Sequence, residues 1–202
     1  MASSLDAAER EQYLPSQKLI ALLELKGTET VLDYGAGTGR LALVVAKAIP
    51  HGRIVAVDES GEMVAHLQHS LDGTANAQAV LISENRVPLR DGEADRILAV
   101  NLLHEIRGEH ALSEMRRVLA AEGMLLVVDW ERGRPRPAGP RDQLLYTAAE
   151  AADELRAAGF DTTEVAAALP FHYIVRASPA LAAPSRAPRH RDDPKAGDRS
   201  RA

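Results

Sequence analysis

Two carboxylates and three glycines stand at spacings that suit the binding of a nucleoside derivative. In V-L-D-Y-G-A-G-T-G-R-L-A-L, Val31 to Leu43, an apolar run delivers Asp33 at its end, and Gly35, Gly37 and Gly39 follow. Glycines there let the backbone turn tightly and approach a ligand closely before a helix begins. The spacing is G-x-G-x-G, not the G-x-G-x-x-G that seats a pyrophosphate on a helix N-terminus. Asp58 closes a second apolar run, I-V-A-V-D, nineteen residues after Gly39. A carboxylate at that place can accept both hydroxyls of a ribose. The bland alternative is an ordinary tight turn between strand and helix.

A proton acceptor is the second requirement for much of the chemistry done on such ligands. His104, three residues after Asn101, is the candidate base, because imidazole titrates near neutrality. Its alternative is a histidine packed at a strand end and bonded to backbone. Glu105 beside it either orients it or is solvated. Trp130, His172 and Tyr173 are candidates for the wall of an acceptor pocket, with a place in the core as the competing reading. His66 and His69 lie three apart on one predicted helix, but no further ligand completes a metal set. The loop arginines Arg132, Arg134, Arg136 and Arg141 either attract an anionic acceptor or are simply solvated.

The elements that must position these residues alternate between short apolar runs and helix-period segments, the pattern of an open βα-repeating sheet. Strands are predicted over Thr30 to Tyr34, Arg53 to Val57, Gln78 to Ile82, Arg96 to Asn101 and Met124 to Trp130. Ser60 offers an N-cap for the helix carrying Met63, Val64, Leu67 and Leu71, and a further helix is predicted over Glu109 to Ala120. Thr147 with Glu150 forms a capping-box signature for a helix that ends at Gly159. Phe160 to Ala167 and Phe171 to Ala177 read as a terminal hairpin, which would give a parallel sheet an antiparallel edge. Two helical stretches, Leu5 to Leu14 and Ser16 to Leu25, precede the first strand.

Composition bounds the rest. The 202 residues suffice for one domain with a sizeable core, and cysteine is absent, which excludes disulfides, thiolate metal sites and thiol nucleophiles. No run approaches the roughly 18 to 20 apolar residues of a membrane span, and residues 1–11 lack a leader pattern. A cytoplasmic protein is therefore expected. The formal charge is −5, with 26 acidic against 18 basic residues before Ser178, so nucleic acid is not an expected partner. Residues 178–202 are proline-rich and basic and are expected to be a disordered tail behind a domain of residues 1–177, whose first 29 residues form N-terminal helices.

These motifs in this order resemble class I S-adenosylmethionine-dependent methyltransferases. V-L-D-Y-G-A-G-T-G, V-A-V-D, A-D-R-I-L-A-V-N-L-L-H-E and R-V-L-A-A-E-G-M-L-L-V-V-D-W match the ordered motifs of that family. The chain is similar in particular to the small ubiquinone/menaquinone-biosynthesis group (methyltransferase type 11), over about Pro15 to Ala177. The resemblance implies a Rossmann-like open seven-stranded, mostly parallel sheet with an antiparallel last strand and helices on both faces. It also implies S-adenosylmethionine as cofactor. Asp33, Gly35, Ala36 and Gly37 would then border its methionine part, Asp58 its ribose and Glu59 the adenine side. Ser83 and Glu84 stand where the family often places an acid for the adenine amino group, and Asn101 with Leu102 would meet the methionyl amine through backbone groups.

The expected reaction is methyl transfer to oxygen or carbon of a small-molecule acceptor by in-line displacement, with His104 as base. There is no N/D-P-P-Y/W after the fourth strand, where methylases of amino and amide nitrogens usually show it. The absence of cysteine excludes cytosine C5 methylation through a thiol adduct. A non-catalytic S-adenosylmethionine- or nucleoside-binding accessory or sensor module remains the alternative, and G-x-G-x-G argues against a third reading, a nicotinamide-dependent dehydrogenase.

Overall fold

The computed structural model describes residues 11–106, 110–166 and 169–180. Among these residues five α-helices, α1 (Ser16–Leu22), α2 (Arg40–Ala48), α3 (Gly61–Ser70), α4 (His110–Val118) and α5 (Ala148–Ala157), accompany seven strands. The strands are β1 (Thr30–Tyr34), β2 (Arg53–Asp58), β3 (Ala77–Leu81), β4 (Ala94–Val100), β5 (Leu119–Trp130), β6 (Phe160–Glu164) and β7 (His172–Pro179). They form one sheet in the order β3-β2-β1-β4-β5-β7-β6. Consecutive pairs from β3 to β5 are parallel, whereas β7 is antiparallel to both β5 and β6. The antiparallel strand is thus one place in from the edge, and β6 takes the edge itself, because the hairpin folds with its second strand inward against β5.

Alternation along each strand feeds two cores. Leu32, Val55, Ile97, Val127 and Val175 face α4 and α5, which contribute Leu112, Met115, Ala151 and Leu155. Val31, Ile54, Leu98, Leu126 and Ile174 face α1, α2 and α3, which contribute Leu19, Leu41, Val45 and Leu67. Burial of apolar residues on both faces is what a parallel sheet requires.

Local signals explain most boundaries. Ser60 Oγ accepts the Met63 N–H and starts α3. Thr147 and Glu150 form the reciprocal capping box of α5, and Gly159, at φ +87°, follows its end. Several boundaries differ from the sequence reading: the helix expected over Ser16 to Leu25 stops at Leu22, and the third and fourth strands start and end one or two residues earlier than expected. The fourth helix stops at Val118, and Leu119 already pairs with Ala94; the register then jumps to Arg96 opposite Met124, so Ala120 to Gly123 bulge out of the ladder. The sixth strand ends at Glu164. The seventh extends to Pro179, where Phe160 pairs with it, beyond the expected start of the tail at Ser178. The remainder of that tail and most of the Leu5 to Leu14 helix lie outside the described residues. Among the described residues no helix is long and apolar enough to cross a membrane.

Candidate active site

The carboxyl ends of β1, β2 and β4 enclose a cavity of about 670 Å3. Its floor is the glycine turn. The N–H groups of Gly35 and Ala36 both donate to the Val57 carbonyl, at 2.9 and 3.0 Å, and draw the turn down onto the end of β2. Gly35 has φ +74°, and a Cβ there would stand 2.7 Å from Leu102 Cδ1. Gly37 has φ +55°, yet a Cβ there would meet nothing within 4 Å. One glycine therefore admits a neighbouring side chain, and the other leaves the cavity floor bare.

Asp58 reaches that floor from the end of β2. Its Oδ2 accepts the Gly37 N–H at 2.9 Å and its Oδ1 accepts the Ser60 N–H at 2.9 Å. Each oxygen keeps a second acceptor position, so a pair of adjacent hydroxyls can be held in bidentate fashion. Glu59, Ser60 and Met63 continue the wall. Across the cavity, Asn101 directly follows β4 at φ +55°, with its N–H on the Val128 carbonyl at 2.8 Å. Asn101 Oδ1 is buried and has no hydrogen-bond partner among the described residues.

Asp33 lies behind the turn, 2% exposed, and its Oδ2 has no hydrogen-bond partner among the described residues. Burial pushes its carboxyl up to about 7, the Asp58 charge adds to the rise, and the Arg40 guanidinium opposes it. Asp33 is not among the residues that line the cavity.

His104 follows β4 and is buried. Its Nδ1 lies 2.8 and 3.0 Å from the two oxygens of Asp129, and its backbone N–H donates to Asp129 Oδ2 at 3.0 Å. Its Nε2 lies 3.5 Å from Oε1 of Glu105, a residue of the cavity wall. Asp129 is the penultimate residue of β5, is fully buried, and also accepts the Trp130 N–H at 2.7 Å.

The structure thus brings Gly35, Gly37, Asp58, Glu59, Asn101 and Leu102 together around one cavity. Ala36 takes part only through its backbone, and its methyl packs into the core on the α2 side. Ser83 and Glu84 are exposed and do not join the wall. Left-handed residues at Glu84 and Asn85 turn the chain, so the neighbours Ile82 and Asn85 line the cavity instead, and Asn85 Oδ1 accepts the Tyr34 hydroxyl at 2.9 Å. Sequence reasoning also missed Asp129. Its one signal was an acid closing a buried strand in V-V-D-W, the same placement that drew attention to Asp33.

The remaining candidates lie elsewhere. Trp130 and His172 stack with ring centroids 4.2 Å apart, and Gly139 of the proline-rich loop packs on the indole. His172 and Tyr173 line a separate pocket of about 530 Å3 with Glu131 and Arg134. Burial pushes the His172 imidazole down to about 4. Three loop arginines are engaged by acids, in the pairs Arg132–Glu150, Arg134–Glu131 and Arg136–Asp142. His66 and His69 are exposed on α3, and no group of three or more metal-ligating side chains occurs among the described residues.

Residues 31–123 match the family model described as "Methyltransferase domain". The malonyl-[acyl-carrier protein] O-methyltransferase of Geobacter sulfurreducens is 29% identical over 182 residues, 81% of this chain and 68% of that protein. The ubiquinone/menaquinone biosynthesis C-methyltransferase UbiE of Syntrophotalea carbinolica is 32% identical over 112 residues, but the chain spans only 47% of its length. The crystal structure of a SAM-dependent methyltransferase from Aquifex aeolicus superposes with a TM-score of 0.80 at 27% identity, covering 85% of this chain and 93% of that one. Sheet order, glycine turn and sequence relatives together define a Rossmann-like methyltransferase. In sequence and in fold the chain is similar to the S-adenosylmethionine-dependent methyltransferases. The residues present fit that cofactor: a bare glycine floor, a carboxylate with two free acceptor positions, and, on the cavity wall, the buried Asn101 Oδ1 without a partner among the described residues.

Proposed function

We propose that this chain, acting in the cytoplasm, methylates oxygen or carbon of a small-molecule acceptor and that His104 removes the acceptor's proton. Bound S-adenosylmethionine supplies a methyl group already activated on a sulfonium. Asp58 holds the ribose hydroxyls, with Glu59 on the adenine side and Ile82 and Asn85 taking the place first expected for Ser83 and Glu84. Asp33 and the Gly35 to Gly37 turn border the methionine part, and the backbone of Asn101 and Leu102 meets its amine. These groups bind and align, and that alignment accounts for much of the rate of an in-line displacement.

The observation that carries the base assignment is the position of His104. His104 does not itself line the cavity, but its buried imidazole sets Nε2 3.5 Å from Oε1 of Glu105, which does. The names of two relatives, an O-methyltransferase and a C-methyltransferase, support oxygen or carbon as the acceptor atom. The carrier-bound acceptor named for the first extends the candidates to acyl thioesters.

Calorimetric titration with S-adenosylmethionine and with S-adenosylhomocysteine, followed by a screen of small acids, phenols, quinols and acyl thioesters with labelled methyl groups, tests the proposal. Micromolar binding and label transfer are expected. H104A is expected to retain cofactor affinity and lose about 100-fold or more in turnover, the usual range for a lost general base. Cofactor binding without transfer to any acceptor would favour the accessory-module reading.

A further inference from the structure

We infer that Asp129 is a positioning residue that fixes His104 in the tautomer able to act as base, and that Glu105 is the outlet for the proton His104 collects. The inference rests on the reading of His104 given above.

The argument begins with what each group can donate. An ionised carboxylate only accepts hydrogen bonds. Both Asp129 oxygens lie within 3.0 Å of His104 Nδ1, so that nitrogen carries the proton in the neutral ring. Nε2 is then the nitrogen with the free lone pair. The carboxylate cannot swing away, because the His104 and Trp130 backbone N–H groups hold its oxygens at 3.0 and 2.7 Å. It is also fully buried, where an ionised group without these partners would be heavily penalised. Orientation of the imidazole is therefore built into the backbone at the ends of β4 and β5.

The other end of the ring meets a different environment. Nε2 is 3.5 Å from Glu105 Oε1, and the Glu105 side chain is 69% exposed while lining the cavity. Asp129 is sealed and Glu105 is open to water, so a proton taken up at Nε2 leaves in one direction only. The acceptor's proton passes to Nε2 and makes an imidazolium, whose Nδ1–H stays on Asp129. The ring returns to its neutral form by passing the Nε2 proton to Glu105 and from there to solvent. No further reactant is needed. A purely structural role for Asp129, pinning two backbone N–H groups, would leave the tautomer and the rate insensitive to replacement of the carboxylate by an amide.

The test uses the full chain labelled with 15N-histidine, with the His104 signals assigned by their loss in H104Q. Two-bond proton–nitrogen spectra near pH 8 are expected to show His104 protonated at Nδ1 alone. Finding Nε2 protonated in the unsubstituted protein overturns the inference without recourse to any variant. In D129N the amide can donate to Nδ1, so the proton is expected to move to Nε2. Turnover with the acceptor found in the label screen is expected to fall about 100-fold or more, with the acceptor KM and the S-adenosylmethionine dissociation constant within about threefold of the unsubstituted protein. E105Q is expected to keep the Nδ1–H tautomer and cofactor affinity while lowering turnover. Unchanged turnover in D129N with an inactive H104Q overturns the role of Asp129 alone. Full activity in both variants overturns the base assignment beneath it, and full activity in E105Q overturns the outlet.

Discussion

Asp33→Asn should make the protein more stable and a poorer binder of its cofactor. The unfolded chain holds the Asp33 carboxyl near 3.8, and the fold pushes it up to about 7, through burial first and the Asp58 charge second. Between those values the folded protein binds a proton that the unfolded chain has released, so this group's contribution to stability falls as pH rises. It is fully favourable below about 3.8 and lost above about 7. A gap of about 3 units at about 1.36 kcal/mol each sets an upper bound on the order of 4 kcal/mol. The uncharged amide escapes that penalty. Urea unfolding at about pH 8 should show D33N more stable by roughly 2 to 4 kcal/mol, with little difference at about pH 4. Calorimetry should show weaker S-adenosylmethionine binding by tenfold or more, since a hydrogen bond to a charged group contributes about 1.5 to 3 kcal/mol. A D33N protein that is less stable at pH 8 would refute the reasoning and make Asp33 a structural partner of Arg40.

Asp58→Ala should weaken cofactor binding by on the order of 2 to 3 kcal/mol through loss of the bidentate ribose contact, as read by calorimetry. Gly37→Ala and Gly35→Ala should separate occupancy from fold. Both positions have positive φ, but only Gly35 faces a side chain, at 2.7 Å, so G35A should lower the thermal midpoint markedly. G37A should cost about 1 kcal/mol in stability and nearly abolish cofactor binding, because its methyl fills the bare floor. His172 has its imidazole held at about 4 against 6.5 in the unfolded chain, so the unfolded state binds more protons in that window and stability is lost as pH falls through it. His172→Phe should therefore move the acid-unfolding midpoint downward, and an unmoved midpoint would place the acid lability elsewhere.

The parts of the fold readable in the sequence were those set by local patterns. β1 and β2 are apolar runs closed by glycine or an acid, and the capping residues Ser60 and Thr147 sit where α3 and α5 begin. Leu119 and Ala120 misled because leucine and alanine favour helix. Pairing of Leu119 with Ala94 across the sheet overrode that preference, and such a contact has no local signature. The hairpin was legible as two strands, but which of them would lie against β5 depends on packing that neither strand encodes alone. At the site, the glycine turn and Asp58 were legible because their spacing is the geometry. Ser83 and Glu84 were not, since two consecutive left-handed residues rotate the chain and hand the cavity wall to Ile82 and Asn85.

Three acids illustrate where sequence reasoning stops. Asp33, Asp58 and Asp129 all stand at or near the carboxyl end of a strand in runs of similar apolar character. Tertiary context gives them different work. Two backbone N–H groups hold the Asp58 carboxylate, which keeps an acceptor position on each oxygen for neutral hydroxyls. Asp129 is bonded on both oxygens by an imidazole and two N–H groups, which leaves it suited to orienting a neighbour. Asp33 retains a buried oxygen without a hydrogen-bond partner among the described residues, and with it a carboxyl whose ionisation awaits a cation. The same side chain thus keeps different acceptor positions free according to the donors that surround it, and those donors come from residues up to 25 positions away along the chain.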